Sequence, residues 1–180
     1  DSGKKHLLIT GWRGKGKTTL FNKLINFICP VDKILPGLTS VYVPQNGVML
    51  VDNLSKTEAA VGIYCPEKAE IGKNMIPYSD GFYTVGIPAL NAVLNSDSQW
   101  FAMDEIGFLE AKSDAFCQAV LHLMEGKNPV IAAVKNREHP FLDAVRNHPN
   151  ARCFYITAEN RDALYEEVLE FLKQQLEEGP

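Results

Sequence analysis

The chain has no apolar run approaching the roughly 20 residues that cross a bilayer, and its first residues carry no signal-peptide pattern. A cytoplasmic protein with no membrane role is expected. The four cysteines, Cys29, Cys65, Cys117 and Cys153, stand far apart with neither metal-ligand nor redox spacing, which predicts reduced residues in or near a core. His6, His122, His139 and His148 show no metal spacing either, and no Ser or Cys is paired with a base as nucleophilic catalysis requires. Positive charge is scarce and dispersed: 18 Lys and Arg stand against 22 Asp and Glu, for a net charge of −4. Phosphate backbones need clustered cations, so nucleic acid is not an expected partner. Repeats, low-complexity tracts and linkers are absent. The 180 residues suffice for one domain with a sizeable core, and a single domain over 1–180 is expected.

What is present is an alternation of short apolar runs and helical patterns. The first strand is expected at His6–Thr10 and a helix at Lys17–Ile28, stopped by Pro30. Between 36 and 85, "LTSVYVP", "GVMLVD" and "AAVGIYC" are β-rich runs separated by Pro, Gly and Asn turns. They predict antiparallel strands added to a main sheet. "VGIPALNAVL" reads as helix and "WFAMDE" as a strand ending in two acids. "SDAFCQAVLHLMEG" is an amphipathic helix with Ser113 as N-cap, Gly126 as stop, and Phe116, Ala119, Val120, Leu123 and Met124 on one face. "PVIAAV" and "RCFYIT" are strands on either side of a short helix, "PFLDAVRN". The last helix is expected over 157–178, capped by Thr157, with Leu164, Val168, Phe171, Leu172 and Leu176 buried. Strands alternating with helices predict an α/β fold of three layers, a mainly parallel sheet covered on both faces. Ligands in such sheets bind at the carboxyl ends of the strands, where residues 11–18 and 104–105 both fall.

"GWRGKGKT", Gly11 to Thr18, fits the phosphate-binding pattern G-x-x-x-x-G-K-[ST] between a strand and a helix. Glycines let successive amides turn inward around phosphate oxygens, and the helix that follows aims its N-terminus at the same anion. Gly11, Trp12, Arg13, Gly14, Lys15, Gly16, Lys17, Thr18 and the adjoining Thr19 are therefore candidate nucleotide contacts. Lys17 is the candidate catalytic cation on the β- and γ-phosphates. Thr18 is a candidate Mg²⁺ ligand, since that ion keeps most of its waters and takes few protein oxygens.

"FAMDEIGFLE" carries the second cluster. Asp104 is expected to end the strand next to the loop and to hold Mg²⁺ through its water shell. Glu105 is expected to point elsewhere on the strand end, where a carboxylate orients and deprotonates an attacking water. An ordinary solvated turn is the plain alternative for this acidic pair, and a solvated or supporting role is expected for Glu110. Arg137 and Arg161 follow strand ends on the ligand side and are candidates for transition-state or base contact. Surface placement is the simpler reading of Arg146 and Arg152.

"ITGWRGKGKTTL", "MDEIGFLE", "VIAAVKNREHP" and "ITAENRDAL", in that order and spacing, resemble the small P-loop nucleoside-triphosphatases first described from thermophiles, whose human member is called cancer-related nucleoside-triphosphatase. The resemblance covers most of the chain. It implies slow, Mg²⁺-dependent hydrolysis of ATP, GTP and other nucleoside triphosphates. It also implies that Trp100, Phe101, Ala102, Met103, Asp104, Glu105, Ile106 and Gly107 form a second nucleotide-contacting stretch. Many members carry a glycine-aromatic-Thr-Glu-Glu hairpin after the first helix; here the stretch reads "PGLTSVYVPQNG", without the acidic pair. No base-reading Asn-Lys-x-Asp motif is present, so ATP, GTP, CTP and UTP are all expected substrates. A small-molecule or nucleotide kinase is the alternative on the same core, disfavoured because no Arg-rich lid segment is present. A nucleotide-dependent switch or binding module is the other alternative. No protein partner is legible.

Overall fold

The structure is a computed structural model that describes residues 3–12, 14–68, 74–96 and 100–177. In chain order, β1 (His6–Gly11) leads through the glycine-rich loop into α1 (Lys17–Ile28). Four strands follow: β2 (Gly37–Val43), β3 (Gly47–Asp52), β4 (Glu58–Tyr64) and β5 (Met75–Pro77). A π-helical turn, Phe82–Gly86, runs into α2 (Ile87–Leu94). Then come β6 (Phe101–Ile106), α3 (Phe108–Ala111), α4 (Asp114–Glu125), β7 (Val130–Lys135), α5 (Pro140–Arg146), β8 (Ala151–Tyr155) and α6 (Arg161–Glu177).

All eight strands form one sheet in the order β5-β4-β3-β2-β6-β7-β1-β8. Pairing is parallel from β2 through β6, β7 and β1 to β8, and antiparallel from β2 out to β5. The parallel part is apolar on both faces because side chains alternate and both faces are covered. Leu8, Met103, Ala132 and Val134 pack under α2, α4 and α5, whereas Leu7, Ile9, Ala102, Ile131 and Ala133 pack under α1 and α6. This is the expected three-layer α/β arrangement, with antiparallel strands added from the 36–85 segment.

β7 lies between β1 and the strand that carries Asp104 and Glu105, yet the end of that strand meets the loop, with Lys17 Nζ 3.1 Å from Glu105 Oε2. Strand order depends on which crossovers the helices make, and local residue pattern does not carry it. Expectations for the last helix are corrected. The last helix starts at Arg161, four residues after Thr157. Thr157 and Asn160 close a turn instead: Thr157 Oγ1 accepts the Asn160 N–H at 3.1 Å, and Asn160 Oδ1 accepts the Thr157 N–H at 2.7 Å. The first bond of α6 runs from the Leu164 N–H to the Asn160 carbonyl. Leu176 is exposed rather than buried.

His6 has a structural role. It is buried, its Nδ1 accepts the Val130 N–H at 3.0 Å, and its Nε2 donates to the Met124 carbonyl at 2.7 Å. Burial pushes its pKa down to about 4, so it stays a neutral pin between β1, α4 and β7. Among the described residues no helix is long and apolar enough to cross a membrane.

Candidate active site

The loop after β1 needs glycine for two reasons. A Cβ at Gly11 would come within 2.6 Å of the Ile156 carbonyl oxygen, so the chain leaves the sheet where no side chain fits. Gly14 and Gly16 hold φ of +81° and +101°, the left-handed region that favours glycine. Gly16 is the N-cap of α1 and no side chain caps that end. The free amides of a helix start are a ready anion site when the first turn carries no acid, as here. Trp12 stands 62% exposed, Thr18 and Thr19 are exposed and Lys15 is half-buried. Arg13 lies outside the described residues.

Lys17 joins the two candidate clusters. Its Nζ is 3.1 Å from Glu105 Oε2 and donates to the Gly11 carbonyl at 3.4 Å. An ammonium at the first position of α1 thus reaches across β7 to the carboxyl end of β6. Asp104 belongs to the same electrostatic group: burial raises its pKa, the Glu105 charge raises it further, and Lys17 lowers it.

The pairing of β6 is irregular at Glu105. Asp104 pairs with Ala133 and Ile106 with Val134, so Glu105 has no partner in β7. Such a bulge re-aims the side chain and breaks strict alternation. Both carboxylates of this strand end lie under the influence of Lys17.

The rest of the stretch 100–107 is divided. Phe101, Ala102, Met103 and Ile106 are core residues, from 0% to 4% exposed, and Trp100 packs against the α1–α6 side. Their side chains therefore fill cores, because alternating positions of a doubly covered strand have nowhere else to point. Asp104 and Glu105 are the side chains that reach the strand end.

Glu110 is not solvated. It is 5% exposed, its Oε2 accepts the Gly107 N–H at 2.9 Å and its Oε1 accepts the Ser40 hydroxyl at 3.1 Å. The local signal for this was in the sequence: Gly107 followed three residues later by Glu is half of a capping box. Its partner Ser40, in the β2 strand, had no such signal.

Arg137 is exposed, with its guanidinium 4.6 Å from the Phe108 ring centroid. This places it over the turn that follows Glu105. Arg146 is not a loose surface residue: it ion-pairs with Asp143 at 2.6 Å, donates to the Arg137 carbonyl at 2.8 Å and also donates to the Lys135 carbonyl. Arg161 is exposed, and its Cδ lies 3.8 Å from where a Gly16 Cβ would stand. Both candidate arginines thus border the loop or the acidic strand end.

A family model described as NTPase matches residues 6–169. The nucleoside-triphosphatase THEP1 of Thermotoga petrophila is 27% identical over 171 residues, covering 93% of this chain and 92% of that protein. The human cancer-related nucleoside-triphosphatase is 26% identical over 181 residues, covering 92% and 95%. Among solved structures, THEP1 from Aquifex aeolicus superposes with a TM-score of 0.72 at 24% identity, covering 93% of this chain and 98% of that one, which is a likeness of fold. With the glycine-rich loop and the acidic strand end both inside the matched span, the chain belongs to the NTPase family.

Proposed function

We propose that this protein hydrolyses the terminal phosphate of nucleoside triphosphates, with Mg²⁺ and with little regard for the base. The observation that carries the reading is the 3.1 Å contact between Lys17 and Glu105. It puts the cation of a phosphate loop and the carboxylate of a distant strand end at one place, which a decorative glycine turn would not require.

In this reading the loop amides from Gly11 to Thr19 and the start of α1 hold the phosphates. Lys17 leaves Glu105 and neutralises charge that builds up on the transferring phosphoryl group. Glu105, freed of its ion pair, orients a water in line with the γ-phosphate and takes its proton. The bond between the γ-phosphorus and the bridging oxygen breaks, and nucleoside diphosphate and phosphate leave. Arg137 and Arg161 are proposed for transition-state or base contact, Arg137 from its seat on Phe108.

The donors fit Mg²⁺. Thr18 offers a hydroxyl and Asp104 a carboxylate whose neighbour Glu105 is also negative, a pair of charges that a cation relieves. Among the described residues no group of three or more His, Cys, Asp or Glu could hold a metal. Mg²⁺ itself takes few protein oxygens and keeps most of its waters. Thr18 and Asp104 would hold Mg²⁺, which would supply positive charge against the phosphates.

Phosphate release from ATP, GTP, CTP and UTP, with Mg²⁺ and no acceptor, tests the reading. All four are expected to turn over, with kcat/KM within about a hundredfold of one another, because a larger preference needs buried hydrogen bonds to the base. Trp12, within the loop, and Arg161, which borders it, are exposed. No release without an acceptor would point to the kinase instead, and one strongly preferred base would remove the tolerance. Thr18→Ala is expected to raise the Mg²⁺ concentration needed for half-maximal rate, since one oxygen ligand is lost; an unchanged metal titration contradicts the role of Thr18.

A further inference from the structure

Glu110 has no part in the steps above, yet it is a carboxylate in the interior. Capping the Gly107 amide does not demand this, because a Glu in a helix's first turn does the same work at a wet surface. Here both oxygens are committed, one to Gly107 at 2.9 Å and one to Ser40 at 3.1 Å. Ser40 belongs to β2, the neighbour of β6 on the side away from β7. The Glu110 backbone is held as well: its carbonyl accepts the Ser113 N–H at 3.1 Å and the Cys117 thiol at 3.2 Å. Burial pushes the carboxyl upward, and the donated hydrogen bonds pull against that. A buried acid is tolerated where its partners are fixed, and it fixes them in return.

Those fixed partners bracket the bulge. Glu105 has no pairing partner in β7, so its direction depends on what anchors the turn just after it. Gly107 is two residues on, and its amide is the group that Glu110 holds.

We propose that Glu110 is the positioning residue for Glu105: by accepting the Gly107 amide and the Ser40 hydroxyl, it fastens the turn after β6 to β2 and holds the Glu105 carboxylate toward Lys17. This rests on the proposed water-orienting role of Glu105.

The test compares Glu110→Ala, Glu110→Gln, Ser40→Ala and Glu105→Gln in steady-state phosphate release, with binding of a non-hydrolysable ATP analogue and thermal unfolding measured beside it. Glu110→Ala is expected to lower kcat about 10–100-fold, since displacing a reacting group by about 1 Å costs on that order, while the KM for ATP changes little. Glu110→Gln is expected to recover most of the rate: its Oε1 can accept the Gly107 N–H and its Nε2 can donate to Ser40 Oγ. Ser40→Ala, which removes one of the two hydrogen bonds to the carboxylate, is expected to lower kcat about 2–10-fold. Wild-type kcat in Glu110→Ala overturns the proposal. So does a Gln variant as damaged as the Ala variant, or a loss shared equally by kcat, analogue affinity and thermal stability. If Glu110→Ala does not fold, Ser40→Ala decides, and wild-type kcat there overturns it. Normal turnover in Glu105→Gln would remove the role of Glu105 itself. A crippled Glu105→Gln beside an intact Glu110→Ala would remove only the positioning.

Discussion

Lys17→Ala is expected to lower turnover of ATP by roughly 10²–10³-fold or more, the scale on which a single preorganised donor to transition-state charge counts. The side chain is 12% exposed and lies between the Gly11 carbonyl and Glu105, so its ammonium is held in a low-dielectric setting before any ligand arrives. Charge placed this way acts more strongly than the same charge in water once the nucleotide has drawn it from Glu105. Triphosphate affinity is expected to fall as well, since the ammonium binds ground-state phosphate too. The substitution leaves Glu105 and Asp104 without their shared cation. Glu105 is 35% exposed, so water takes up part of that loss and the fold should survive. Lys17→Arg is not expected to rescue the rate fully, because a planar fork replaces a compact point charge in a space shaped for the latter. Phosphate release and analogue binding by calorimetry check both effects. Wild-type kinetics in Lys17→Ala would refute the phosphate-loop assignment.

The loop was legible because every constraint on it is local. Glycines at 11, 14 and 16, a lysine at 17 and an apolar strand before them all lie within a dozen residues, and their spacing is set by the anion they would surround. The strand and helix alternation was legible for the same reason: period-2 and period-3.6 patterns are properties of neighbours in sequence. The start of α6 differs from the expectation because Thr157 bonds with Asn160 in a turn before the helix begins at Arg161. What was not legible is non-local. That β7 separates β6 from β1 is a matter of crossovers. That Glu105 bulges follows from how β6 pairs with β7. That Glu110 is buried follows from Ser40, 70 residues earlier, arriving on a neighbouring strand.

Glu105→Gln is expected to lower turnover about 10²–10⁴-fold, the usual range of general-base help, since the amide keeps the shape but not the basicity. ATP affinity is expected to hold or to rise. In the free protein Lys17 is engaged with Glu105 at 3.1 Å, and a nucleotide must draw it away; an amide competes for the ammonium less well than a carboxylate. The variant should therefore bind more readily and hydrolyse far less. Asp104→Asn should behave differently. Its carboxylate is the proposed metal partner, so the Mg²⁺ concentration for half-maximal rate should rise together with the loss in rate. Because both acids lie under the influence of Lys17, each substitution perturbs the other's surroundings, and neither rate alone assigns a role. The metal titration separates them: Asp104→Asn moves its midpoint, whereas Glu105→Gln leaves the midpoint in place and lowers the plateau. Glu105→Gln turning over within about threefold of wild type would mean that the water's proton goes elsewhere, with the γ-phosphate oxygens the nearest acceptor. A shifted metal midpoint in both variants would mean that the two carboxylates share the ion rather than divide the labour.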